Sequence, residues 1–169
     1  MRTRKLTLLA LLSAVALIIF TVEAQIPSPI PIAGIKLGLS NIITVFTVFA
    51  LGAWEGMAVL AVRIVLGAIF SGNFSTIFYS AAGGALAILV TILLRKILDK
   101  KQIWVAGCLG AIAHSIGQMV MAVVISGTPG LAIYLPVMIC VSIVTGFFTG
   151  HCAQFLLNRR KDLWKTISK

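Results

Sequence analysis

Long apolar runs alternate with short basic clusters along the whole chain. A helix needs about 20 mostly apolar residues to cross the hydrocarbon core of a bilayer. Six runs approach that length, and they cover approximately residues 6–25, 38–53, 55–71, 76–97, 103–126 and 131–157. The pattern predicts an all-α integral membrane protein, folded as a bundle of about six transmembrane helices.

The composition agrees with this class of protein. Of the 169 residues, 60% are hydrophobic and only 11% are charged, whereas a soluble domain carries about 25% charged residues. No polar segment between the apolar runs is long enough to build a second core. Residues 1–169 are therefore predicted to form a single transmembrane domain.

The positive charges predict the orientation in the membrane. The net charge is +10, and most basic residues stand in three groups: Arg2, Arg4 and Lys5; Arg95, Lys96, Lys100 and Lys101; Arg159, Arg160, Lys161, Lys165 and Lys169. Loops rich in Lys and Arg remain on the cytoplasmic side. Both termini are thus predicted to be cytoplasmic. The same clustering argues against nucleic acid as a partner, because no basic residues are interleaved with polar or aromatic ones on a soluble face.

The first apolar run has a second interpretation. A basic start, an apolar run and the triplet Val22-Glu23-Ala24 resemble a cleavable signal peptide. The run from Leu6 to Val22 is longer than the usual apolar region of a signal peptide, which has about 7–15 residues. We favour a membrane helix, and cleavage would leave the orientation of the other helices unchanged.

Residues that would support catalysis are missing from the sequence. The acidic residues Glu23, Glu55, Asp99 and Asp162 stand far apart, whereas metal-dependent prenyl transfer needs clustered carboxylates to hold magnesium. No Walker-type phosphate loop is present. The three cysteines and two histidines are too scattered for a metal site or a disulfide framework. We therefore predict no catalytic residue, metal or cofactor, and no enzyme activity.

Polar residues inside the apolar runs are the candidates for ligand binding. Arg63 lies within the third run, where a cation is costly unless it faces a cavity or a partner. His114 and Gln118 are four residues apart and share one face of the fifth predicted helix. For all three residues, contacts that only hold helices together are the alternative interpretation.

Further candidates lie at the outer ends of the predicted helices. The proline-rich stretch PSPIPIAGIKLGLSN, residues 27–41, carries Lys36 and Asn41, and Asn73 lies in the next outer loop. Either asparagine could instead serve only as a cap or turn residue. Together with Arg63, these residues indicate a pocket that opens to the outside and favours an anionic or strongly polar small molecule. A channel is less well supported, because rings of repeated polar residues and an internal repeat are missing.

Several segments resemble the substrate-binding S components of energy-coupling factor transporters, which are small six-helix membrane proteins. They are ALLSA at Ala10 to Ala14, the proline-rich outer loop, and IKLGLSNIITVFTVFALGAWEGMAVLAVRIVLGAIFSG at 35–72. The resemblance implies that Ala10 and Ala14 dock onto a membrane-coupling T subunit, and that partner ATPases supply energy. It also implies a location in a bacterial plasma membrane, surrounded by lipid.

More narrowly, the chain resembles Gx transporter family proteins, which are often labelled heptaprenyl diphosphate synthase component I. The first function predicted is the capture of a small molecule from outside, such as a vitamin, cofactor precursor or isoprenoid- or quinone-related compound. The alternative is a noncatalytic membrane component of a heptaprenyl diphosphate synthase or quinone biosynthesis system. A structural membrane anchor without a ligand is a third class.

Overall fold

A computed structural model of the chain describes residues 2–26, 38–99 and 101–167, with only the backbone described for residue 2 and for residues 160–167. The described residues form helices joined by short turns. The helices are α1 Arg2–Glu23, α2 Asn41–Ala50, α3 Ala53–Ser71, α4 Ser75–Ile97, α5 Ile103–Ser126 and α6 Leu135–Ile167, with a short 3₁₀ helix at Pro129–Tyr134 before α6. The predicted all-α helical bundle is confirmed.

Five helices in the described part of the chain are long and apolar enough to cross a membrane, and α2 is the exception. With 10 residues, α2 is about 15 Å long, so the second apolar run is helical over a shorter range than predicted. The short helix is enclosed by its neighbours, with these residues buried: Asn41, Ile43, Thr44, Val45, Thr47, Val48 and Phe49. Because α2 packs inside the bundle, its length need not match the thickness of the bilayer.

Contacts between α1 and α3 show that these two helices run in the same direction. Lys5 forms a salt bridge with Glu55 at one end of the pair. At the other end, Gly67 packs against the ring of Phe20. Helix α2 therefore connects the far end of α1 to the end where Lys5 lies.

Helices α5 and α6 run in opposite directions and pack through small residues. A β-carbon at Gly107 would lie 2.4 Å from Cα of Gly150, so the two backbones touch. Near the other end of the interface, the hydroxyl groups of Ser115 and Ser142 are hydrogen bonded at 2.5 Å. Close backbone contact of this kind is typical of helix pairs in membranes.

The alternating directions bring both ends of the described chain to one side of the bundle. Leu157 near the end of α6 packs in the same apolar cluster as Ile103 and Phe49, close to the turn that leads to Glu55. The basic residues Lys5 and Arg95 therefore share an end of the bundle with the last turns of α6. The positive-inside rule predicts that this end faces the cytoplasm.

Candidate functional site

Arg63 lies at the centre of a buried polar cluster between α2 and α3. Its side chain is 2% exposed. The Nη1 group donates hydrogen bonds to Oγ of Ser40 and, at 3.3 Å, to Oδ1 of Asn41. The guanidinium group thus reaches from the middle of α3 to the first residue of α2 and the residue before it.

Glu23, the last residue of α1, contacts the same segment at the start of α2. Its carboxylate is buried and accepts hydrogen bonds from the backbone N–H groups of Gly38, at 2.5 Å, and Ser40, at 3.3 Å. A negative charge at the start of a helix interacts favourably with the helix dipole. Glu23 therefore stabilises the start of α2, where the positive charge of Arg63 alone would be unfavourable.

Phe20 forms an apolar wall beside the cluster. The centre of its ring lies 6.0 Å from Cζ of Arg63, which is within the range of a cation–π interaction. The ring has room because residue 67 is glycine, and a β-carbon there would lie 2.6 Å from a ring carbon. Gly67 thus allows Phe20 to approach α3 and to reach the guanidinium group.

Helix α5 contributes His114 and Gln118 to the cluster. Both side chains are buried, with exposed fractions of 3% and 1%. They press against α4 at Gly83, where a β-carbon would lie 2.9 Å from Nδ1 of His114 and 2.9 Å from Cγ of Gln118. The glycine allows α4 to pack closely against α5, and this packing fixes the position of the two polar side chains.

These groups surround a narrow cavity, which is lined by Phe20, Glu23, Gly38, Ser40, Arg63, Ser80, His114 and Gln118. Small-molecule sites typically have about 300–1,000 Å³, whereas the free interior of this cavity is only about 10 Å³, which is room for about one water molecule. Within the described part of the chain, the buried side-chain atoms without a hydrogen-bond partner are Arg63 Nε, Asn41 Nδ2, Thr44 Oγ1, His114 Nδ1 and Gln118 Oε1. Buried polar groups normally have partners, so the unpaired atoms of Arg63, His114 and Gln118 mark places where water or another polar molecule can bind.

The structure brings four of the predicted ligand-binding residues together. Arg63, His114 and Gln118 line the cavity, and Asn41 is hydrogen bonded to Arg63. Lys36 lies outside the described residues.

Asn73 lies apart from the cavity. Its side chain is exposed and its Oδ1 accepts a hydrogen bond from the backbone N–H of Ser75, at 3.1 Å. The structure thus places Asn73 in the turn that begins α4, which is the cap role considered for it from the sequence.

The predicted docking residues Ala10 and Ala14 are exposed on the surface of α1. They are four residues apart and share one face of the helix. The exposure leaves this face open to lipid or to a partner protein.

Other residues that line the cavity were not among the predicted ligand-binding residues; they include Glu23, Ser40, Phe20 and Ser80. From the sequence, Glu23 was considered only as part of a possible cleavage site and as one of four scattered acidic residues. A carboxylate at the end of one apolar run, in a chain with an arginine inside another run, is a signal that could have placed Glu23 near Arg63. Ser40 and Ser80 gave no such signal, since serine is common in membrane helices.

The fold and the cavity define a multi-pass α-helical membrane protein with a buried polar site near one end of its bundle. The chain belongs to the heptaprenyl diphosphate synthase component I family, whose family model matches residues 12–156. This match confirms the family label to which the sequence pointed. No curated protein and no solved structure matches the chain.

Proposed function

We propose that the chain is a membrane-embedded capture subunit that binds a small polar molecule from outside the cell. The observation that carries this proposal is the group of buried, unpartnered atoms around Arg63, namely Arg63 Nε, Asn41 Nδ2, His114 Nδ1 and Gln118 Oε1. Leaving a buried polar group unpaired costs about 1–3 kcal/mol. A ligand that pairs with these groups would recover that free energy on binding.

The location of the cavity supports entry from the outer side. Glu23 lies at the end of α1 that is opposite Lys5 and its salt bridge to Glu55. With the basic end in the cytoplasm, the cavity lies towards the outer face of a bacterial plasma membrane.

The proposed importer is of the energy-coupling-factor type, in which the capture subunit works with a T subunit and ATPases. No Walker-type phosphate loop is present in the sequence, so the chain would depend on such partners for energy. The exposed pair Ala10 and Ala14 supplies a flat surface on α1 for the T subunit. The chain itself is proposed to have no enzyme activity.

The description of the family favours a second function, a noncatalytic membrane component of a heptaprenyl diphosphate synthase. The two functions predict different partners. Purification from native membranes under mild conditions should recover a T subunit and ATPases in the first case. Recovery of a soluble prenyltransferase would instead support the second.

Native mass spectrometry of the purified chain tests ligand capture directly. The wild type is expected to retain a small molecule, and Arg63→Leu is expected to lose it. Arg95→Leu is the matched control, because Arg95 is exposed and lies near Gly52 at the other end of the bundle. Gln118→Leu provides a second cavity variant if Arg63→Leu does not fold. A wild type without any bound molecule, or equal occupancy in all variants, would contradict the proposal.

A further inference from the structure

A groove between the beginnings of α1 and α3 lies at the opposite end of the bundle from the buried cavity. This α1–α3 groove is lined by Lys5, Leu6, Leu9, Trp54, Glu55 and Ala58. Its free volume is about 340 Å³, which is within the range of about 300–1,000 Å³ for small-molecule sites. The groove therefore has room for a ligand that the buried cavity lacks.

The α1–α3 groove opens at the outside of the helix bundle. Leu6 is 63% exposed and Trp54 is 80% exposed, and Ala58 is exposed as well. Within the described residues, α1 packs only against α2 and α3, so no other described helix covers the groove. It is therefore accessible to a component of the surrounding membrane.

The polar end of the groove carries an unbalanced positive charge. Lys5 Nζ donates a hydrogen bond to Oε1 of Glu55. On the other side of Glu55, its Oε2 and Arg95 Nη1 both lie within 4 Å of the position that a β-carbon at Gly52 would occupy. Glu55 thus has a cation on each side, and these three charges sum to one positive charge. The other charged residues described at this end are mostly basic as well: Arg4, Lys96, Asp99, Lys101 and Arg159.

Lys5 can bind an anion while it keeps its salt bridge to Glu55. An ammonium group has three N–H donors, and Glu55 accepts from one of them. The side chain of Lys5 is 55% exposed, whereas that of Glu55 is 15% exposed. A group that enters the groove therefore meets the cation first. A phosphate oxygen is a suitable acceptor, because hydrogen bonds between ionised partners are strong.

The rest of the groove is apolar. Leu9 lies four residues after Lys5, about 6 Å further along the helix axis, and Leu6 and Ala58 line the same stretch. Trp54 stands at the rim, and indole rings favour the interface between membrane and water. A cation at the interface above an apolar floor matches the phosphate and the first methylene groups of a phospholipid.

We propose that the α1–α3 groove binds a phospholipid with an anionic headgroup from the cytoplasmic leaflet. The phosphate accepts hydrogen bonds from Lys5 Nζ, and an acyl chain lies along Leu6, Leu9 and Ala58. The positive-inside rule and the negative charge of the cytoplasmic leaflet both favour this side of the membrane. The site is separate from the buried cavity, so this inference does not rest on the proposed function.

The fluorescence of Trp54 provides a reporter beside the groove. In the full-length chain, Trp104 and Trp164 are replaced by phenylalanine, so that only Trp54 emits. This Trp54-only chain is reconstituted in vesicles of phosphatidylcholine and phosphatidylglycerol, in which one lipid or the other is brominated on its acyl chains. Bromine quenches an adjacent indole, so the ratio of quenching gives the relative affinity of the two lipids. We expect phosphatidylglycerol to be favoured about fivefold, or about 1 kcal/mol, which is typical of one basic residue at an anionic membrane surface.

A first variant tests the charge of the site. Lys5→Gln should reduce the preference for phosphatidylglycerol to about twofold or less, because the cation that binds the phosphate is removed. Lys96→Gln is its matched control, since Lys96 is exposed at the same end of the bundle and does not line the groove. The control should keep the preference of the Trp54-only chain.

A second variant tests the groove without changing any charge. Ala58→Leu fills the apolar part of the groove, and it should weaken quenching by brominated phosphatidylglycerol and remove the preference. Because Ala58 is exposed, the added volume does not disturb the core of the bundle. Ala61→Leu is the control, since Ala61 is exposed on the same helix but does not line the groove.

Three results would overturn the proposal. The first is equal quenching by the two lipids in the Trp54-only chain. The second is an equal loss of preference in Lys5→Gln and Lys96→Gln, which would indicate attraction to the basic end as a whole. The third is displacement of phosphatidylglycerol by inorganic phosphate at the same concentration, which would indicate a site for a soluble anion. Each of these results leaves ligand capture in the buried cavity untouched.

Discussion

Glu23 and Arg63 hold the start of α2 from two different helices. Glu23 accepts hydrogen bonds from the backbone of Gly38 and Ser40, and Arg63 donates to the side chains of Ser40 and Asn41. Ser40 is contacted by both residues. This arrangement joins α1, α2 and α3 at the cavity, so a ligand that pairs with Arg63 also contacts the junction of three helices.

A double-mutant cycle on Glu23 and Arg63 should show strong coupling. Each of Glu23→Gln and Arg63→Met leaves one buried charge without its counter-charge, and such changes typically cost about 3–5 kcal/mol. The double variant removes both charges, so its loss of unfolding free energy should be smaller than the sum, with a coupling of about 1–3 kcal/mol. Unfolding in mixed detergent micelles measures all four proteins. Additive losses would show that the two charges act independently.

Gly38→Ala should weaken both the fold and ligand retention. Gly38 has a φ of +82°, and a β-carbon there would lie 3.0 Å from Asn41 Nδ2. An alanine in the left-handed region costs about 1–2 kcal/mol, and Asn41 would also have to move. Thermal stability and occupancy by native mass spectrometry should both fall.

Gly72→Ala is the matched control for that variant. Gly72 has a φ of +63°, but nothing lies within 4 Å of its β-carbon position. The Gly72→Ala variant should lose stability only because alanine is strained at this backbone conformation. Its occupancy by ligand should equal that of the wild type. Equal occupancy in the two variants would mean that the position of Asn41 does not matter for binding.

The main features of the fold follow from the sequence because each depends on local composition. Apolar length predicts the spanning helices, and basic clusters predict which ends of the helices lie together. The short α2 could not be predicted in this way. Its sequence is as apolar as that of a spanning helix, and its length is set by Glu23 and Arg63 at one end and by the turn at Gly52 at the other.

The cavity was predicted only in part, because some of its contacts depend on the tertiary structure and not on local composition. Arg63, His114 and Gln118 are conspicuous in apolar runs, and the structure brings them together. The partnership of Glu23 with Gly38 and Ser40 depends on how the chain folds back after α1. Asn73 lies in a turn outside the cavity, and its sequence could not distinguish this position from one in a binding site, because asparagine suits both.

The surface of α1 provides the sharpest test of the proposed partner. Ala10 and Ala14 are exposed, so leucines at both positions fill no space inside the bundle. The double variant should fold normally and retain ligand like the wild type. If α1 docks onto a T subunit, however, the added bulk should prevent close approach of the two proteins. Co-purification with the T subunit, and uptake into cells, should then be lost.

Helix α4 offers a matched control for this test. Ala81 and Ala85 have the same spacing as Ala10 and Ala14 and are also exposed. Leucines at these two positions add the same volume to a lipid-facing surface on another helix. This variant should keep both the partner and uptake, so a loss confined to α1 would identify the docking face. If both double variants behave alike, either in keeping the partner or in losing it, α1 is not the specific contact.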